Sequence, residues 1–311
     1  MALPYEIFAI GYSATLFSAT IAALLFFVGL RNIKASIIIL SIKKNWLLIL
    51  AIILLPSLLL IESRFTSLFE SEAMAARNVS WMLAHGGEVI RYIQNRLEVG
   101  LITDIFIFIY VWLFTFIIYF TPIYLLVKND TVLFKKFSIA MILNYLVLLP
   151  FYLFIPVTVA SEAPATMLKP LLYMNTNWGK LVTSMDPLDN DFPSGHISLL
   201  LTTLLILSSS YFHRRYAHFV MWGLIAITVA VLYLGIHWIV DILGGIALSV
   251  CIVLIVGNTR LLDRQFPMTY SEFAEEAGGS PEEEKSRDEA ATGERSISPE
   301  ERLRRIFRKT R

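Results

Sequence analysis

Apolar residues along this 311-residue chain come in long blocks, broken by short polar links. Seven blocks stand out, at about 8–30, 46–61, 102–126, 137–156, 197–212, 218–236 and 240–256. Most are close to the ~20 residues that a helix needs to cross a ~30 Å hydrocarbon core. Lipid offers no partner to a free backbone N–H or C=O, so a spanning segment is a helix or a barrel strand. Strands would alternate apolar and polar residues, and these blocks do not. The pattern predicts an all-α polytopic membrane bundle of about seven transmembrane helices. The run ASIIILSI (35–42) is too short to cross but long enough to re-enter. The polar stretch 62–100 contains GEVIRYIQNRLEV, whose spacing predicts a helix lying on the membrane surface. A loop of nearly 40 residues, 157–196, precedes the fifth block.

Composition agrees: 56% of residues are hydrophobic and 16% are charged, against roughly 25% charged in a soluble domain. The net charge of +1 by itself says nothing about partners, and no nucleic-acid partner is expected. Charge placement says more. Lys and Arg mark the links after the first, third and fifth blocks, through Arg31, Lys34, Lys43, Lys44, Lys128, Lys135, Lys136, Arg214 and Arg215. With seven spans these links share one side, which the positive-inside rule makes cytoplasmic. The expected location is a cell membrane, with the 157–196 loop on the extracytoplasmic side. MALPYEIF lacks a basic n-region, so the first block reads as a retained span. The single cysteine, Cys251, reads as packing and can build neither a disulfide framework nor a cysteine metal site. Residues 258–311 form a charged tail expected to be mostly disordered. Its end, SPEERLRRIFRKTR, carries a capping signature and reads as a short basic helix for anionic cytoplasmic lipid.

Two polar constellations fall on the outward side. The loop ends in DPLDNDFPSGH, where the fifth block begins. Gly195 would let a ligand approach the backbone. The free N–H groups at the start of the next helix suit an anion, phosphate above all. His196 could exchange a proton with it. At the corner between the last two blocks, His237 and Asp241 stand four apart, on one face if the segment is helical. An aspartate so placed fixes the imidazole tautomer and leaves the other nitrogen free as a nucleophile. An Asp at membrane depth is costly and marks a functional site by default. Asp186, Asp189 and Asp191 read as a solvated acidic loop, and His213 and His218 as part of a basic orientation signal.

At these residues the chain resembles the type 2 phosphatidic acid phosphatase (PAP2) superfamily, which also contains the vanadium haloperoxidases. The Pro-Ser-Gly-His motif is present at Pro193–His196, and the catalytic half of the third motif at His237 and Asp241. The resemblance implies that six spans form the family core, within a catalytic domain at 46–257. Residues 1–45 would then be an added span with its basic link. It implies His237 as the nucleophile that becomes phosphohistidine, Asp241 as its orienting group and His196 as acid and base. Backbone N–H groups of Ser194 and Gly195 would hold phosphate. No metal and no cofactor are implied. The third-motif Ser-Arg falls at Ala230 and Val231, and no Lys-x6-Arg-Pro precedes Pro193. Lys169 and Lys180, or Arg91 and Arg96, are the candidate replacements for those cations. The expected partner is a phosphorylated membrane lipid, hydrolysed as a monoester or diphosphate. The missing arginine is also similar to the inositol phosphorylceramide synthase branch, which transfers headgroups. A lipid-phosphate binder without turnover is the non-enzymatic alternative.

Overall fold

A computed structural model describes residues 4–69, 72–97, 100–163, 166–184 and 191–258. The described residues all belong to one compact unit that ends at Asn258. The expectations for the tail lie outside the described residues. In chain order the helices are α1 (Tyr5–Phe27), α2 (Ala35–Phe69), α3 (Glu72–Met82), α4 (Glu88–Leu97), α5 (Gly100–Phe108) and α6 (Phe114–Val127). They continue with α7 (Thr131–Phe154), α8 (Leu171–Met174), α9 (Thr176–Thr183), α10 (Gly195–Ser208), α11 (Arg214–Tyr233) and α12 (Ile239–Asn258). No strand occurs among the described residues.

Among the described residues six segments are long and apolar enough to cross a membrane: Tyr5–Phe27, Ala35–Leu55, Gly100–Val127, Thr131–Phe154, Tyr211–Tyr233 and Ile239–Gly257. The fifth expected span is shorter. Helix α10 has 14 residues, about 21 Å at 1.5 Å per residue, less than the hydrocarbon core. It can be short because it is central. It packs against α7, α11 and α12, and Leu200, Thr202 and Leu207 are buried. The outer helices instead expose Phe17, Trp222 and Leu254, an apolar surface suited to lipid.

Two expectations about the N-terminal third change. Residues 35–42 are no separate re-entrant piece; they open α2, which bends at Asn45 (φ −113°, ψ 18°). Ser41 donates to Asn129 (3.0 Å), so this first stretch lies level with the α6–α7 link. Helix α4 does not rest on lipid alone. Its apolar side is buried in protein, with Ile90 beside Met82, Val157, Ala160 and Trp238. Gln94 accepts from the Lys169 N–H (2.8 Å) and donates to the Lys169 carbonyl (3.0 Å).

Polar groups join the central helices where lipid gives them no alternative partner. Asn144 (α7) bonds to Ser198 and, at 3.2 Å, to Thr202 (α10), and Thr202 donates to Ser249 (α12) at 3.0 Å. At the α6–α7 link, Asp130 caps α7 by accepting from the Leu133 N–H (2.9 Å). Its other oxygen lies 3.0 Å from His213 Nε2, and Tyr124 Oη lies 2.9 Å from His213 Nδ1. His213 is thus a buried, paired side chain, not part of a basic surface signal. Cys251 is exposed on α12 and does not pack inside.

Candidate active site

The loop before α10 ends in a turn held by its own backbone. Ser194 caps α10, its Oγ accepting from the Ile197 N–H (3.3 Å). The Ser194 N–H donates to the Asp241 carbonyl (3.0 Å), which ties the loop to the start of α12. Close approach there needs a glycine. A Cβ on Gly245 would stand 2.6 Å from the Ser194 carbonyl oxygen. With Ser194 occupied, the start of α10 leaves the N–H groups of Gly195 and His196 unpartnered among the described residues. The space a Gly195 side chain would need is taken by Tyr152 Oη, 2.9 Å from an ideal Cβ.

His237 lies in a turn between α11 and α12, so the spacing of four does not place it on a helical face with Asp241. The turn starts at Gly235, whose φ of +67° is the left-handed conformation that glycine adopts at least cost. Asp241 occupies the third position of α12. Its Oδ2 accepts from the Trp238 N–H (2.7 Å), the reciprocal half of a capping box.

The two histidines meet. His196 Nδ1 and His237 Nε2 are 3.3 Å apart. The His196 ring is flanked by Tyr110 and Phe114, at centroid distances of 4.8 and 4.4 Å. Both aromatics come from the π-helical turn Ile109–Leu113 and the residue after it, and such turns gather at functional sites. On the far side of the His237 ring, Nδ1 lies 2.6 Å from Asp191 Oδ1 and 3.6 Å from Asp241 Oδ2. All three residues are 2% exposed or less.

Asp191 was not legible as part of this site. An acid in a run of Asp, Asn and Pro reads as solvated. It is buried because its N–H donates to the Val157 carbonyl (3.2 Å) and the next residue, Phe192, stacks edge-on against Phe151. Phe192 is the one sequence signal for this, an apolar residue that pulls the loop inward. Asp186 and Asp189 lie outside the described residues.

Burial by itself would lower the pKa of His237, but the neighbouring carboxylates of Asp191 and Asp241 outweigh it and raise it to about 10. Burial, then the charge of Asp241, pushes Asp191 well above the ordinary aspartate range. Both shifts run the same way: the cluster holds on to protons. The donor atoms of Asp191, His237 and Asp241 fall within 4.8 Å of one another, a spacing that could hold a metal ion. The 2.6 Å separation of His237 Nδ1 and Asp191 Oδ1 is too short for two donors on one ion. Donors at about 2.0–2.1 Å on a tetrahedral ion stand roughly 3.3 Å apart.

None of the predicted cations joins the site. Lys169 and Lys180 are exposed, Arg91 pairs with Glu88 (2.6 Å), and Arg96 lies over the Tyr92 ring. Instead the histidines border an apolar cavity of about 360 Å³ between α2, α6, α7 and α10. Ile53, Phe114, Tyr119, Met141 and Leu199 line it together with Gly195, His196 and His237, and no Lys, Arg, Asp or Glu does among the described residues.

Residues 137–262 match the model of the PAP2 superfamily. This is the family the motifs resemble. The PAP2 match begins in α7, ends just beyond α12 and takes in Asp191, His196, His237 and Asp241. It covers somewhat less than half of the chain. No curated protein matches the chain, and no solved structure does.

Proposed function

We propose that the protein is a membrane phosphatase that hydrolyses a lipid phosphate ester through a phosphohistidine on His237. One observation carries this reading: two histidines in contact at the wall of an otherwise apolar cavity between membrane helices. Phosphoryl chemistry needs the histidines, and a lipid tail suits the cavity.

The resting His237 carries a proton on each nitrogen, which supplies positive charge where the family's arginine and lysine are missing. The N–H groups of Gly195 and His196, at the positive end of α10, add donors for phosphate oxygens. The Nε2 proton passes to His196 Nδ1 across the 3.3 Å contact. His237 Nε2 then attacks phosphorus and the bond to the lipid oxygen breaks. His196 gives its proton to that oxygen, and the lipid alcohol leaves. Water next attacks the phosphohistidine while His196 accepts its proton, and phosphate is released. Sidedness follows from charge: Lys128, Lys135, Lys136, Arg214 and Arg215 sit at the opposite ends of these helices, so the histidines face away from the cytoplasm.

Purified protein should release phosphate from phosphatidic acid or a polyprenyl phosphate, and a chelator should not change the rate. His237→Ala and His196→Ala should each lower kcat by at least about 100-fold. Full turnover by either variant would refute the reading. Headgroup transfer is the second reading, supported by the buried Ala230 and Val231 where the third-motif Ser-Arg would fall. A lipid alcohol that takes up the phospho-group faster than water does would favour it.

A further inference from the structure

We infer that the cavity beside the histidines is a trench for one long lipid chain, and that the tail of the substrate runs past the bilayer midplane. This rests on the phosphatase reading of the same site. The lining gives the shape. Phe134, Met141, Leu148 and Tyr152 come from α7, and Phe114, Ile118 and Leu126 from α6. Each set keeps the spacing of a single helix face. Two facing stripes therefore run the length of the α6–α7 hairpin. From Phe134 to Tyr152, α7 rises roughly 27 Å at 1.5 Å per residue. One leaflet of a ~30 Å hydrocarbon core is only about 15 Å deep.

The two ends of the trench differ. At one, Tyr152 and Gly195 meet His196 and His237. At the other, Leu126 lies in the last turn of α6 and Phe134 in the first turn of α7, beside the link that carries Lys128, Lys135 and Lys136. Phe134 and Phe137, both buried, make an apolar floor there. A polar end and a long apolar body match the head and tail of one amphiphile. In lipid a tail gains no hydrophobic free energy by moving into protein, so packing contact decides which chain fits. A chain that stops at the midplane leaves the deep lining without partner atoms, and an apolar void stays dry. A chain as long as the trench fills it. Entry needs no threading. Ile53 on α2, and Tyr119 and Ile123 on α6, line the trench and are also exposed on the bundle surface. The chain can slide in from the bilayer between these two helices.

The full chain in lipid nanodiscs would be given farnesyl phosphate, with a tail about as long as one leaflet is deep, and hexaprenyl phosphate, with a tail about as long as the trench. KM for hexaprenyl phosphate should be several-fold lower, with similar kcat. Met141→Trp and Ile123→Trp each put an indole across the deep half of the trench, from opposite walls. Each should raise KM for hexaprenyl phosphate to that of farnesyl phosphate and leave farnesyl phosphate unaffected. Ile123 is exposed, so this position accepts a larger side chain even if Met141→Trp does not fold.

A second readout does not need turnover. Hexaprenyl phosphate with a diazirine on its terminal unit would be irradiated in the nanodiscs and the labelled residues mapped. Label should fall on Leu126, Phe134 or Phe137 and be lost from them in Ile123→Trp. Equal KM for the two phosphates in the unaltered protein, or label confined to outer-surface residues such as Trp222 and Leu254, would overturn the inference. Turnover of neither phosphate would instead refute the phosphatase reading, and the label map alone would then decide whether the trench holds the chain.

Discussion

At the scale of single residues, the site is a charge arrangement with few cations. His196 and His237 were legible because the motif residues are themselves the chemistry. Asp191 was not, because burial comes from Val157 and Phe151, distant in sequence. Ser194 was assigned to phosphate, and its N–H instead holds the Asp241 carbonyl. Without its partner strand of chain in view, a backbone donor looks free. The shift of His237 to about 10 has a consequence for binding. The cationic form prevails below that pH and is lost as pH rises through it. Inorganic phosphate stays a dianion across this window. Its inhibition constant should therefore hold steady from pH 8 to 9 and weaken above about 10. A constant that does not change up to pH 11 would show that His237 supplies no charge to the anion.

At the scale of elements, caps and glycines set the helices that hold the site. Asp130 caps α7 and meets His213. Asp130→Ala should cost about 1–2 kcal/mol, chiefly the cap, read as a lower melting temperature in detergent. Asn is as good a cap, so Asp130→Asn should lose less. Burial would raise the Asp130 carboxyl pKa, but its hydrogen bonds to His213 and the Leu133 N–H hold it below the ordinary value. Its contribution is thus complete above about pH 3.9 and fades as pH falls through the folded pKa. The gap between wild type and Asp130→Asn should close in acid. The helices themselves were legible from block length. The length of α10 was not, because a helix surrounded by α7, α11 and α12 need not match the bilayer. Nor was the bend of α2 at Asn45, which joins two stretches that hydropathy separates at Lys43 and Lys44.

At the scale of the whole molecule, the bundle encloses an apolar cavity that opens beside the histidines. Its walls come from α2, α6, α7 and α10, so no local pattern in the sequence describes it. Ile53→Trp, on the more exposed wall of α2, should narrow it. KM for a long-chain lipid phosphate should rise several-fold, with kcat on a short-chain, water-soluble phosphate ester unchanged. Equal effects on both would show that the tail does not lie there.

The central claim is that His237 becomes phosphorylated. The most direct measurement is to mix the protein with a ³²P-labelled lipid phosphate, quench in base, and look for label on the chain. Acid-labile, base-stable label that maps to His237 and disappears in His237→Ala is the predicted result. Phosphate released at full rate with no labelled protein at any time, or with label on another residue, would contradict it.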